Sequence, residues 1–252
     1  MEKLTSLKNP RVQLWRSLKD HKARQEAGLF LVEGIRMTRE ALDSSFTVET
    51  LLLREGYPVP GDLPAQTSVC MLPEYVFDAV CDTKSPQGIA AVLRLETKPA
   101  SGPRLVALDQ VQDPGNVGTI LRTADAAGFD GLLLSPDCAD VFSTRVLRAS
   151  MGSIFRMGLS FPSSLPDALR ILRNQGYAII SSQLDGDPFY QRGELGEKLV
   201  LIVGNEGNGI SGSVRDEATH RLKLPMRGGA ESLNAAVAAA VMMYDLTRDM
   251  DS

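Results

Sequence analysis

Three short stretches in the second half of this 252-residue chain concentrate the residues that could do chemistry. The first is Asp109-Gln110-Val111-Gln112-Asp113-Pro114-Gly115-Asn116-Val117-Gly118, which leads to Arg122-Thr123-Ala124-Asp125. The second is the glycine-rich turn Gly204-Asn205-Glu206-Gly207-Asn208-Gly209-Ile210-Ser211. The third runs from Leu224-Pro225-Met226 to Ser232-Leu233-Asn234. Glycine turns that open helices bring backbone N–H and C=O groups up to a ligand. Glu206 suits a hydrogen bond to a neighbouring loop or to a ligand. Asn116 suits a helix cap or a polar contact in a pocket. Arg122, among small and apolar residues, reads on its own as a surface arginine. The second turn is neither the dinucleotide fingerprint nor the P-loop, so phosphate binding is the weaker inference. His21 and His220 are the only histidines and lie far apart, which disfavours a histidine triad or a metal site.

The elements around these loops must hold them together. Unalternated apolar runs at Leu105–Leu108, Gly131–Leu134, Phe155–Leu159, Tyr177–Ser181, Leu199–Val203 and Arg221–Leu224 predict strands. Helices are expected at Val117–Ala127, Thr144–Ala149, Leu165–Gln175, Gly212–Ala218 and Leu233–Asp249, with a polar loop over Asp185–Glu197. Repeated βα units of this kind predict an α/β fold, a mainly parallel sheet with helices on both faces. Its ligands belong at the C-terminal ends of the strands. Before it, a smaller α/β unit is expected: a helix over 5–25, strands at Phe30–Val32, Val48–Leu53, Val69–Leu72 and Ile89–Leu93, and helices at Ile35–Leu42 and Pro73–Val80. The proline- and glycine-bearing stretch 96–103 reads as a linker, dividing the chain into domains 1–97 and 98–252.

Hydrophobic content of 43% and charged content of 23% are ordinary for a soluble protein. No apolar run reaches the roughly 18–20 residues of a membrane span, and no signal peptide is read at the N-terminus. Cys70, Cys81 and Cys138 have no paired spacing and fit a reducing, cytoplasmic setting. Net charge is −4, but residues 1–39 carry nine bases against four acids. That basic segment is either a solvated helix face or a phosphate-contacting surface.

Taken together, the three loops resemble the motifs of the SpoU (TrmH-type) RNA ribose 2′-O-methyltransferases of the SPOUT class. The matching segments are Asp113–Gly118 with Arg122-Thr123-Ala124, Val203–Ile210, Leu224-Pro225-Met226 with Ser232-Leu233-Asn234, and Arg148-Ala149-Ser150-Met151-Gly152. At Ser143-Thr144-Arg145 the chain departs from the Pro-Lys pair of many relatives. The N-terminal unit resembles the family's RNA substrate-binding domain, of small ribosomal-protein-like α/β fold. That likeness rests on Lys8-Asn9-Pro10, Phe30–Gly34, Arg36 and Thr83–Gly88.

The resemblance implies a deep trefoil knot and a homodimer with its active site near the interface. It implies S-adenosylmethionine held mostly by backbone groups at Gly204, Asn205, Gly209, Leu224, Met226 and Leu233. It points to Arg122 as the catalytic residue, with Asn116, Glu206, Ser232 and Asn234 ordering the loops and the target nucleotide. A guanidinium is effectively always protonated, so Arg122 is expected to hold the phosphate and the developing 2′-oxyanion rather than to act as a base. Lys8, Arg11, Lys22, Arg24 and Arg36 become candidate RNA contacts. The expected reaction is methyl transfer to a ribose 2′-hydroxyl of structured RNA, ribosomal rather than transfer RNA. The alternatives are a tRNA enzyme and a non-catalytic RNA-binding or ribosome-assembly protein on the same fold.

Overall fold

A computed structural model describes residues 1–248, so Asp249 of the expected last helix lies outside the described residues. The chain forms two compact units, one of Met1–Glu96 with Phe142–Arg156, the other of Thr97–Val141 with the chain from Met157 onward.

The first unit contains β1 (Glu2–Lys3), α1 (Pro10–Ser17), α2 (His21–Ala27), β2 (Leu29–Glu33), α3 (Ile35–Leu42), β3 (Val48–Arg54), β4 (Ser68–Leu72), α4 (Glu74–Val80) and β5 (Ile89–Arg94). Its mixed sheet has the order β1-β4-β3-β5-β2. The expected single helix over 5–25 is two helices. Asn9 caps α1 ahead of Pro10, and Asp20 caps α2 by accepting from the Ala23 N–H. Arg24 holds the break between them. Its Nη1 donates to the carbonyls of Leu18 and Lys19 at 2.7 and 2.9 Å, groups orphaned where α1 ends. Arg24 is only 3% exposed, so it is a buried structural cation and not an RNA contact. A further segment of this unit, Phe142–Arg156, comes from later in the chain.

The second unit contains β6 (Arg104–Asp109), α5 (Pro114–Ala126) and β7 (Gly131–Leu134). After the excursion through α6 (Thr144–Ser150) it continues with β8 (Gly158–Ser160), α7 (Leu165–Asn174), β9 (Ala178–Pro188), β10 (Leu199–Gly204), α8 (Gly212–Arg215), β11 (His220–Lys223) and α9 (Ala235–Thr247). Every pairing in the sheet β11-β9-β10-β6-β7-β8 is parallel. β10 and β6, fully buried along Val200–Ile202 and Val106–Leu108, form its centre. Burying each valine, leucine and isoleucine there stabilises the fold by about 1.5–3 kcal/mol.

Two expectations change here. Ser153–Phe155 is a 3-10 turn, and the strand begins only at Gly158. Residues 185–188, expected in a polar loop, belong to β9. β11 pairs first with Ile180 and Ser181 and then, after a register shift, with Asp187 and Pro188. Residues 182–186 therefore bulge out of the sheet. Gly186 makes the return possible, because a Cβ there would sit 2.5 Å from the Arg221 carbonyl oxygen.

β6 runs on to β7 on one side, whereas β9 and β10 lie on the other. The sheet's direction of winding thus reverses between β6 and β10. In parallel α/β sheets ligands bind in the crevice at the strand ends of such a switch point. Gly204 and Asp109, the last residues of the two strands, are register partners there.

Candidate functional site

The loops that leave β6 and β10 are tied to each other by side chains that reach the partner loop's backbone. Asp109 is buried and its Oδ2 accepts from the Ser211 N–H at 2.7 Å, which fixes the far end of the glycine turn. Asn205 folds that turn. Its Oδ1 accepts from the Gly207 and Asn208 N–H groups, and its Nδ2 donates across to the Gln110 carbonyl at 2.8 Å. Gly204 must be glycine because a Cβ would lie 2.4 Å from the Gly209 carbonyl carbon and 2.5 Å from the Ile210 nitrogen.

Three polar side chains then join all three loops. Asn116 Nδ2 donates to Glu206 Oε1 at 2.8 Å, and Asn234 Nδ2 donates to Asn116 Oδ1 at 3.0 Å. Asn234 also caps α9, its Oδ1 accepting from the Ala236 and Val237 N–H groups. Asn116 is not the helix cap, which corrects one of the two roles open to it. Asp113 caps α5 by accepting from the Asn116 N–H at 2.9 Å, and Pro114 follows as the first helical residue. Asn116 is thereby free to face inward and bridge Glu206 to Asn234.

Burial pushes the Glu206 carboxyl up. Hydrogen bonds from Asn116 and from the backbone, including the Asp113 and Gln112 amides, outweigh that and hold it below the usual glutamate value. The carboxylate form therefore carries the loop network. A group with a depressed folded-state value stabilises above its unfolded value, about 4.3, and loses that stabilisation as pH falls through the lower folded value. Glu206→Gln is expected to lower the thermal midpoint at neutral pH, with the gap to the unsubstituted protein closing under acid. A pH-independent gap in thermal denaturation would contradict this role.

A cavity of about 490 Å³ opens where these loops meet, within the usual range for small-molecule sites. Gly204, Asn205, Glu206 and Gly209 form one wall. Leu224 and Met226 form another, and Ser232, Leu233 and Asn234 a third. All nine were expected in the site. Asn116, mostly buried, reaches the cavity only through Glu206 and Asn234. Arg122 does not line it. Arg122 is exposed on α5, on the face it shares with exposed Thr119 and Ala126, and has no ion pair among the described residues. The wall that sequence reasoning missed is the β9 bulge, Ser182 to Asp185, together with Arg215. Its only sequence signal was the polar run after Ile180, which reads equally as an ordinary loop.

The SpoU rRNA Methylase family model matches residues 103–244, which span this whole site. The chain belongs to the SpoU rRNA Methylase family. A second model, the MRM3-like substrate binding domain, matches residues 9–91. Among the similar proteins of this kind is the 23S rRNA (guanosine(2553)-2′-O)-methyltransferase RlmP of Bacillus subtilis, 38% identical over 98% of this chain and 99% of that protein. The 23S rRNA (uridine(2479)-2′-O)-methyltransferase of Streptomyces viridochromogenes is 31% identical over 96% of this chain and 90% of its own length. The crystal structure of an AdoMet-bound rRNA methyltransferase from Sinorhizobium meliloti superposes with a TM-score of 0.90 at 32% identity, covering 99% of this chain and 98% of that one. Within this SpoU chain, the glycine turn after β10 and the loop that leads into α9 lie on one cavity, and the motif arginine stands outside it.

The candidate RNA contacts lie on the first unit. Lys8 and Arg36 are exposed and without ion pairs among the described residues. Arg11 pairs with Glu2 and lies over the Trp15 ring at 5.0 Å, and Lys22 pairs with Glu26. Cys70, Cys81 and Cys138 are all free thiols, each pushed up from its usual value by burial. No helix among the described residues is long and apolar enough to cross a membrane.

Proposed function

We propose that this protein transfers the methyl group of S-adenosylmethionine to a ribose 2′-hydroxyl of ribosomal RNA. The observation that carries this is the Glu206–Asn116–Asn234 chain, which ties the first family motif to the other two, and those two line one cavity of the right size. The lining suits the ligand chemically. Leu224, Met226 and Leu233 offer apolar surface to a purine, and the Gly204–Gly209 turn offers backbone groups. Asp185 and Glu206 place negative charge on the wall of a cavity meant for a sulfonium and an ammonium, and Arg215 suits a carboxylate. Bound there, S-adenosylmethionine supplies an electrophilic methyl carbon, so little covalent chemistry is left to the protein.

The chain's own residues then orient the acceptor and stabilise charge. Arg122 holds the target phosphate and the developing 2′-oxyanion, for which a permanently charged, exposed guanidinium with no ion pair among the described residues is suited. Ser232 and Asn234 order the nucleotide at the cavity rim. Two similar enzymes named for different bases, guanosine and uridine, share the 2′-oxygen of 23S rRNA as acceptor, which supports ribose rather than base chemistry.

The same reading brings a trefoil knot in the β10–α9 region, a cytoplasmic setting and a homodimer. The homodimer is supported by a stripe of exposed apolar residues at the start of and along α9: Leu233, Val237, Val241 and Tyr244. These positions recur at helical spacing and would be covered by a second copy. Val237→Asp combined with Val241→Asp is expected to convert a dimer to a monomer in sedimentation velocity. A wild-type monomer would refute the dimer outright.

The activity itself is tested by incubating the protein with ribosomal RNA and radiolabelled S-adenosylmethionine, then digesting the product to nucleosides. Label in a 2′-O-methylnucleoside is expected. Label confined to bases, or no label with cofactor bound, overturns the reading.

A further inference from the structure

The first unit carries a basic surface assembled from two distant stretches of chain. Leu29 and Leu31 of β2 belong to the core shared with α1 and α4. Phe30 lies between them and so points to the opposite face of the sheet. There its ring meets Phe46 at 5.9 Å and Phe142 at 4.8 Å, and Phe46 meets Phe155 at 5.4 Å. The segment 142–156 is thus packed on this face by its two phenylalanines. It is pinned beside α3 by Arg156, whose Nη1 donates to Glu40 Oε2 at 2.6 Å.

α3 buries Met37, Thr38 and Ala41, and α6 buries Val146, Leu147 and Ser150. On the outward side of each helix, three residues apart, stand arginines: Arg36 and Arg39 on α3, Arg145 and Arg148 on α6. All four are exposed, and none has an ion-pair partner among the described residues. The cations of α1 and α2 are mostly engaged by contrast. Arg11 pairs with Glu2, Lys22 with Glu26, and Arg24 is buried. Of the unit's exposed cations without an ion pair among the described residues, four therefore stand on α3 and α6, with Lys8, Arg16 and Lys84 among the others.

Beside α3 lies a groove of about 430 Å³ lined by Ile35, Arg36, Arg39, Glu40, Asp43 and Gln87. Ile35 is 46% exposed, an apolar surface in the groove that Arg36 and Arg39 also line. Gln87 Oε1 accepts from the Ile35 N–H at 2.9 Å, which leaves its amide N–H groups as donors. Glu40 is taken up by Arg156. Asp43 is the lining acid without an ion pair among the described residues.

The geometry points to an RNA-binding surface on α3 and α6, in which Arg36 and Arg39 in the groove and Arg145 and Arg148 on the segment held beside it by Arg156 grip phosphates, and Ile35 with Gln87 receives one unpaired nucleotide. Two pairs of arginines, each three residues apart on its helix, suit phosphates of an RNA backbone. An apolar side chain beside amide donors suits a base out of its stack, whereas the edges of paired bases in an RNA duplex are not reachable by such a groove. Two of the four cations come from a stretch that follows β7, outside residues 9–91, so the RNA surface is completed by the methylase part of the sequence. This inference rests on the RNA-directed activity proposed above.

The test uses a fluorescein-labelled RNA hairpin with an unpaired loop, and the fully paired duplex of the same stem, in fluorescence anisotropy over a salt series. The double variant Arg39→Ala with Arg145→Ala is expected to weaken hairpin binding roughly tenfold. It should also flatten the slope of log affinity against log salt by about 1.4, two single-strand phosphate contacts. Asp43→Asn is expected to tighten binding, a gain that loss of folding could not produce. The hairpin should bind more tightly than the duplex. In methyl transfer the double variant should raise the KM for ribosomal RNA while S-adenosylmethionine affinity, measured by calorimetry, stays at the wild-type value. Wild-type hairpin affinity and salt slope in the double variant would overturn the groove, as would equal affinity for hairpin and duplex. The anisotropy arm decides the groove alone. Failure of the wild type to transfer a methyl group, with hairpin binding intact, would overturn the proposed function instead.

Discussion

Arg122→Ala retains S-adenosylmethionine affinity and loses roughly 100- to 1,000-fold in methyl transfer, the cost of removing one group that stabilises a developing oxyanion. The separation of binding from turnover follows from where the side chain stands. Arg122 is outside the cavity and exposed on α5, so its loss disturbs neither the glycine turn nor the Glu206–Asn116–Asn234 chain. Arg122→Lys discriminates between roles. A lysine keeps the charge but not the planar fork that grips phosphate and oxyanion together, so it should recover only part of the rate. A true proton acceptor would instead show a pH–rate profile displaced in the lysine variant, because an ammonium deprotonates in a range a guanidinium does not. Calorimetric titration and single-turnover transfer measure the two halves of the prediction. Wild-type transfer by Arg122→Ala would remove the residue from the mechanism.

Gly204→Ala acts in the opposite way, on the cofactor and not on the RNA. Its Cβ would meet backbone atoms of Gly209 and Ile210 at 2.4 to 2.6 Å, and backbone cannot swing aside as a side chain can. The turn must shift as a body, at a cost of about 1–3 kcal/mol. That shift moves Asn205 and Glu206, which carry the hydrogen bonds to the Gln110 carbonyl and to Asn116. S-adenosylmethionine affinity should fall at least about tenfold, since 1.4 kcal/mol corresponds to one decade. Gly228→Ala is the control, because nothing lies within 4 Å of a Cβ there. Equal affinities in the two variants would show that the turn does not shape the cavity.

Much of this site was legible because it is built from short-range signals. Apolar unalternated strands, proline and glycine at turns, and asparagine before a helix each act through neighbours in sequence. They placed β10 and the glycine turn, and α9 to within two residues at its start, where Asn234 caps the helix so that it opens at Ala235 rather than at Leu233. What stayed hidden depends on partners distant in sequence. Asn116 and Asp113 are both fair helix caps, and only the folded loop shows that Asp113 takes the role while Asn116 turns to Glu206, 90 positions later. Arg24 reads as one more surface cation, but it is consumed by two orphaned carbonyls within its own helical break. The β9 bulge exists because β11 re-pairs after a register shift, and no local composition announces that. The docking of 142–156 onto the first unit depends on rings at Phe30 and Phe46, more than ninety positions upstream of their partners.

The central claim concerns the acceptor atom. Mapping 2′-O-methylation across ribosomal RNA from cells with and without this protein tests it most directly. The expected result is the loss of 2′-O-methylation at a ribosomal RNA nucleotide, restored by the wild-type protein and not by Arg122→Ala. Identical maps from the two cell lines, or a lost methyl group that resides on a base, would contradict it.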